Sequence, residues 1–337
     1  MPNIISKERI HYFDVAKGIL ILLLVLFHFQ SAIRHMELPI ENRILSTLFW
    51  QKIITAFFMP CFFFISGYCS NFENESSFFF KKVVRQLLIP WSCFELLQAA
   101  FWAIYYSDYS FDRFRTFLLT EPCTTLWFLN ALAFSKILVY ILKKLFHNGL
   151  IILFISFLFL VLAILVNQLN IGHNYLAIRE SFGSCFFVAL GYYMKRNMQI
   201  YNLFISYSPY IYLFIFIFLV LISIPIPSFT AGMHISIRQF PIFILLSTTG
   251  SFSFLYICRL INCNSIIEYF GKNSLPIYGL HICPLCAFVV ILYKTIYPTT
   301  FLQFGYYLLA VYVLTICICS FLVTILQLKC LKWIIGK

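Results

Sequence analysis

The stretch DVAKGILILLLVLFHF (14–29) carries an acid, an ammonium and an imidazole in a run that is otherwise hydrocarbon. Lys17 and His28 are eleven residues apart, about 1100° of helix and so within about 20° of whole turns, which puts both side chains on one face. Those residues rise about 16 Å, half of a hydrocarbon core of roughly 30 Å. With Lys17 at a membrane boundary, His28 stands near the midplane, and Asp14 pairs with Lys17 across one turn. An imidazole at that depth costs free energy unless it faces a polar cavity or a partner helix. It is either a proton acceptor, since its ordinary pKa lies near neutrality, or a packing group bonded to a neighbour's backbone.

The elements that must hold these residues follow from composition. The chain has 337 residues, of which 62% are hydrophobic, 20% aromatic and only 11% charged, against roughly 25% charged in soluble domains. Apolar segments near the 20 or so residues that cross a bilayer as helix recur at about 17–34, 50–70, 86–106, 123–142, 150–168, 178–194, 208–224, 237–258, 274–293 and 304–328. This predicts an all-α polytopic membrane protein of about ten transmembrane helices with no soluble domain, a single integral-membrane unit over residues 8–330. The first segment has no small-residue cleavage site and reads as a retained span, not a signal peptide.

A net charge of +12 would suggest nucleic acid as the partner of a soluble protein. Here the basic residues fall in short clusters between apolar runs, so the positive-inside rule accounts for them and nucleic acid is excluded. Fifteen of the 24 basic residues, among them Lys7, Arg9, Lys17, Lys81, Lys82 and Arg85, fall on one side if both termini are cytoplasmic. Lys136 alone is left inside a span. The twelve cysteines show neither a disulfide framework nor zinc spacing, and the Cys283/Cys286 pair lies in an apolar run, so no metal is expected. The longest connection, about 107–121 with Asp108, Asp112 and Glu121, is a lid or a plain loop. No internal repeat is present, which gives no support to the two-half plan common in transporters.

Several strings occur together along the chain: Lys17–Gly18 and His28, FFMPCFFFISGY (57–68), KKVVRQLLIPW (81–91), LWFLNAL (126–132) and GKNSLPIYGLH (271–281). In this combination and order the chain resembles the membrane acyltransferase-3 family, most of all its sugar O-acetylases similar to fucose 4-O-acetylase. The resemblance covers nearly the whole length. It implies transfer of an acyl group, usually acetyl, from cytoplasmic acyl-CoA to a hydroxyl of a cell-surface or lipid-linked sugar. Lys17 and His28 match the family's basic residue and histidine. Lys82 and Arg85 occupy a spacing usually held by two arginines, so a phosphate contact at Lys82 would lack a bidentate fork.

That chemistry needs a base for the hydroxyl proton, cations for the CoA phosphates and a donor for the developing oxyanion. His28 is the candidate base, acting by direct transfer or through an acyl-histidine. His281 either assists it, donates to the oxyanion or packs. Glu95, inside the third span, orients a histidine or is itself protonated. Lys17, Lys82 and Arg85 are candidate phosphate ligands, and Lys81 is a topological charge. Asn273–Ser274–Leu275–Pro276 reads as a helix N-cap with free N–H groups, an anion site beside Lys272. Trp127 and Asn130 are candidates to line the acceptor tunnel, and Trp127 equally reads as an interfacial anchor. Arg179, beside Glu180, and Arg238 face the acceptor or snorkel to the interface.

The expected location is a bacterial cytoplasmic membrane. The expected partners are acyl-CoA as a donor with no bound cofactor, a carbohydrate or lipid-linked acceptor, membrane lipids and, as an open option, further copies of the chain. The rival functions are a transporter or flippase of a lipid-linked glycan, which also wants midplane polar groups, and a non-catalytic membrane scaffold.

Overall fold

The computed structural model describes residues 10–45, 50–105, 126–171, 175–206, 209–223, 226–227, 229, 235–261 and 265–337. Lys7, Arg9 and the loop acids Asp108, Asp112 and Glu121 lie outside the described residues. Every regular element among the described residues is helical. Five helices are long and apolar enough to cross a membrane, and a sixth if one bent pair is a single span. Each of the ten apolar segments expected from the sequence contains helix, but several of these helices are shorter or more polar than a full crossing requires.

The principal helices are α1 (His11–His35), α2 (Phe58–Cys69), α3 (Ile89–Tyr105), α4 (Trp127–Leu145), α5 (Gly149–Gln168), α6 (Ile178–Arg196), α7 (Pro209–Ile222) and α8 (Phe240–Leu260). Three consecutive helices follow, α9 (Ser265–Lys272), α10 (Ser274–Leu280) and α11 (Ile282–Ile296), and α12 (Phe301–Leu326) comes last. A short helix over Ser76–Val83 and a π-helical turn over Val84–Leu88 lead into α3.

The outer faces are as apolar as the core. On α5, Leu150, Phe154, Leu158, Leu162 and Leu165 recur every three or four residues and are all exposed. Such a ridge is unfavourable against water and costs nothing against lipid tails.

Association inside a membrane depends on close packing more than on hydrophobic burial, so small residues set the crossings. A Cβ on Gly67 would collide with the Val188 carbonyl, and one on Gly191 with the Phe64 carbonyl, so α2 and α6 meet backbone to backbone. Gly18 lies in the same way against the Ile267 carbonyl and Gly271 against the Asp14 carbonyl, where α1 crosses α9. The glycines of the SGY, AKG and FGK strings are therefore crossing points. The second crossing fixes the face of α1 that carries Lys17 and His28.

The run from α9 to α11 corrects one expectation. Asn273 does not cap a free helix end, because α9 continues almost into α10. The Asn273 N–H donates to the Tyr269 carbonyl at 3.1 Å and the Ile277 N–H to the Asn273 carbonyl at 3.1 Å. The side chain of Asn273 also donates to the Tyr269 carbonyl and accepts from Gln327 Nε2 at 2.9 Å. The Asn273 side chain is thus turned to the preceding turn and to Gln327, and makes no cap bond to the start of α10. α10 and α11 are bent by 50° at His281, and the cause is Pro284, which cannot donate to the Leu280 carbonyl one turn earlier.

Candidate active site

α1, α2, α4 and α10 enclose a cavity of about 350 Å³. On α1 it is lined by Lys17, Ile21 and Leu24, the 3.6-residue face that leads to His28. α2 contributes Met59, Phe62, Ile65, Ser66 and Cys69, and α4 contributes Phe128, Leu129, Leu132 and Lys136. Ser274, Leu275 and Tyr278 close the side formed by α10, and Gln86, Leu87 and Ile335–Lys337 close the basic end. A smaller recess beside it is lined by Ser70, Asn71, Lys82, Gln86 and Lys136, among others.

The walls change character along their length. Lys17, Cys69 and Lys136 border one end, whereas Leu24, Phe128 and Tyr278 border the other. Lys17 is held in place by Asp14 at 2.7 Å across i,i+3, the pairing its spacing predicts. Asp14 is itself buried. The ion pair is anchored on the protein side and leaves Lys17 only partly enclosed, with 27% of its side chain exposed.

His28 stands one turn beyond Leu24, and His281 one turn beyond Tyr278, so both histidines lie just past the apolar end. Their ring centroids are 5.1 Å apart. The bend at Pro284 and the packing of α10 on α1 make that meeting. His281 is fully buried, and its Nδ1 lies 2.7 Å from the Tyr278 carbonyl. A carbonyl only accepts, so Nδ1 carries the proton of the neutral ring and Nε2 presents a lone pair. Neither His281 Nε2 nor His28 Nδ1 has a hydrogen-bond partner among the described residues. Two buried ring nitrogens left open just past the apolar end of a cavity are the feature expected of a proton-transfer site.

Glu95 is fully buried on α3, where α3 packs on α10. The neighbouring Phe94 ring fills the space a side chain on Gly279 would take, and Gln98 donates to the Gly279 carbonyl at 3.3 Å. Glu95 thus sits on the helix that packs against α10, and it is not among the residues lining the cavity.

The remaining candidates divide by position. Lys82 lines the recess. Arg85 is exposed in the π-helical turn and lines neither volume. Lys272 is also outside the lining and donates to Glu268 at 2.9 Å. Trp127 is buried among Phe63, Phe128 and Phe229 rings, and Asn130 is buried next to it with its Nδ2 unbonded among the described residues. Neither lines the cavity, whose α4 face is set by Phe128, Leu129, Leu132 and Lys136. Arg179 donates to Asn167 Oδ1 at 2.6 Å and to the Ile171 carbonyl at 3.5 Å, tying the start of α6 to the end of α5. Arg238 is exposed in the turn before α8. Lys136 is the cavity residue that sequence reasoning left aside, although a lone lysine in an apolar helix was itself a signal.

The family model for an acyltransferase domain matches residues 10–325. The chain belongs to the acyltransferase-3 family. This acyltransferase matches no curated protein and no solved structure at a significant level. The match runs from the start of α1 to within one residue of the end of α12, so the histidine pair and every lining residue of the cavity except Ile335–Lys337 fall within the acyltransferase domain. With its lipid-facing ridges and long apolar helices, the protein is a membrane acyltransferase.

Proposed function

We propose that this acyltransferase moves an acetyl group from cytoplasmic acetyl-CoA to a hydroxyl of a cell-surface or lipid-linked sugar, as a sugar O-acetylase similar to fucose 4-O-acetylase. In this reading it works in a bacterial cytoplasmic membrane, crosses it about ten times and has its basic end in the cytoplasm. The observation that carries the proposal is one continuous cavity with ammonium groups at one end and, one turn past its other end, two histidines with open ring nitrogens. An acyl-CoA has the same polarity, with phosphates at one end and a neutral thioester at the other.

Its phosphates are held at Lys17 and Lys82, with Arg85 above them, and its pantetheine arm follows the apolar wall toward Leu24 and Tyr278. His28 takes the proton from the sugar hydroxyl as the oxygen attacks the thioester carbonyl. The carbonyl π electrons move to its oxygen. When they return, the C–S bond breaks, CoA leaves as the thiolate and the proton on His28 is returned to it. His281 is held by Tyr278 in the tautomer that accepts at Nε2, so it orients a neighbouring proton and does not donate to the oxyanion while neutral. Glu95 buttresses α10 from behind.

The test supplies acetyl-CoA labelled in the acetyl carbon to the protein in lipid vesicles containing lipid-linked glycans. Label appearing on a sugar hydroxyl is the expected result. Movement of unmodified glycan across the bilayer with no label transferred would favour the flippase and end the proposal.

A further inference from the structure

Lys136 is a cation that neither the family strings nor the mechanism above employs. It sits in the middle of α4, nine residues from Trp127 and nine from Leu145. Neighbouring lysines have partners: Lys17 has Asp14, Lys143 has Glu73, Lys195 has the Ser70 carbonyl and Lys272 has Glu268. Lys136 has no ion pair and no hydrogen bond among the described residues.

What it faces is space. Lys136 lines the main cavity together with Lys17 and the recess together with Lys82, and both ammonium groups act on it electrostatically. Among the described residues no Asp or Glu lines either volume. Lys136 thus faces Lys17 and Lys337 across the cavity and Lys82 across the recess, and an ammonium without a counter-ion beside like charges in a mostly apolar helix is costly to hold. A ligand with at least two negative charges would offset that cost.

We propose that Lys136, with Lys17, binds the diphosphate of the acyl donor, leaving Lys82 and Arg85 for the ribose 3′-phosphate. The assignment rests on the acyl-CoA reading above and follows from the order of groups in that molecule. The diphosphate lies between the thioester arm and the 3′-phosphate, so a donor entering thioester first puts its diphosphate deeper. Lys136 is half-buried inside α4, whereas Lys82 and Arg85 are exposed at the entrance to α3. No bond is made or broken by Lys136, so it is a binding residue and its effect belongs in donor affinity.

The experiment titrates acetyl-CoA, acetyl-3′-dephospho-CoA and inorganic pyrophosphate into the full chain in lipid nanodiscs. Lys136→Met should weaken acetyl-CoA by about 10- to 100-fold, the range of one charge-assisted contact, and weaken the dephospho donor by the same factor. Lys136→Arg should retain most of the affinity. The effect of Lys82→Ala with Arg85→Ala should vanish with the dephospho donor.

A Lys136→Met variant within twofold of the unaltered protein for both donors overturns the assignment, as does an effect that disappears with the 3′-phosphate. Lys136→Gln is measured in its place if the Met variant is not monodisperse. In the unaltered protein pyrophosphate must compete with the dephospho donor, and no competition overturns the assignment whatever the variants show. If the unaltered protein binds neither acetyl-CoA nor pyrophosphate, the acyl-CoA reading falls and the assignment with it. If it binds acetyl-CoA without regard to Lys136, only the assignment falls.

Discussion

Lys17, Lys82 and Lys136 border open volume in the space between α1, α2 and α4, whereas Arg179 is spent on Asn167 and the Ile171 carbonyl between α5 and α6. All four are basic residues in a mostly apolar chain, and charge alone cannot tell them apart. The difference lies in what surrounds them. Arg179 closes the hairpin between two consecutive helices, where the bonded carbonyl and amide oxygens lie eight and twelve residues before it. The three lysines come from separate helices, and only the tertiary fold brings them to one space. A cation spent on the oxygens of its own hairpin and bordering no cavity reads as structural, whereas cations from distant segments that border open volume read as a ligand site, Lys17 among them although Asp14 holds it in position.

The largest effect that would sharpen this contrast is at the end of the cavity. His28→Ala should insert and bind acetyl-CoA normally while transfer falls by about 10²- to 10⁴-fold, the usual contribution of a positioned base. His28→Gln should be nearly as inactive, because an amide keeps a hydrogen bond but takes no proton. Transfer normalised to folded protein decides it, and substantial activity in the Gln variant would make His28 a packing residue.

Next in size are the exposed cations at the entrance. Lys82→Ala combined with Arg85→Ala should weaken acetyl-CoA with acceptor affinity unchanged, each lost contact costing about 1.5 to 3 kcal/mol. Isothermal titration measures it, and an unchanged affinity would return both residues to a purely topological role. Arg179→Ala probes the other side of the comparison. It should leave donor affinity within about twofold and lower stability by about 1 kcal/mol, and a larger loss of donor affinity would break the contrast drawn here.

The smallest effect is at the clasp below α2, where Glu73 meets Lys143 at 2.5 Å and Arg196 at 3.5 Å. Partial burial raises the carboxyl pKa of Glu73, but the hydrogen bond and charge of Lys143, with the charge of Arg196, outweigh it and hold the group below the usual carboxylate range. A depressed carboxylate contributes its stability in full above its ordinary pKa, about 4.3, and loses it as pH falls through the depressed value. The difference in thermal midpoint between the unaltered protein and Glu73→Gln should therefore shrink on acidification from pH 7. A difference that does not change with pH would contradict the clasp.

Much of the site was legible in the sequence because it depends on helix geometry alone. Lys17 and His28 share a face by their spacing, and the Asp14 pair follows from i,i+3 adjacency. The meeting of His28 with His281 was not legible, since it needs the 50° bend and the glycine contacts that bring α9 to α10 onto α1. Asn273 misled because its string fits an N-cap, while local pattern cannot show that the preceding helix runs straight into it. Trp127 and Asn130 were expected on the cavity side, yet the face of α4 turned to the cavity is fixed by packing against α2 and α6. Lys136 was visible as a lysine inside a span, and only the cavity gives it a purpose.

The central claim is that the basic-ended cavity is where the acyl donor enters, and native Cys69 reports on it directly. This cysteine is exposed and lines the cavity beside Lys17 and Lys136. In a variant retaining Cys69 as its single cysteine, the rate of maleimide modification is measured with and without acetyl-CoA, whose sulfur is capped and does not consume the reagent. Donor bound in the cavity predicts that saturating acetyl-CoA slows the modification at least tenfold and that the Lys82→Ala, Arg85→Ala background requires more donor for the same protection. An unchanged rate at a concentration that supports transfer would place the donor elsewhere and contradict the account.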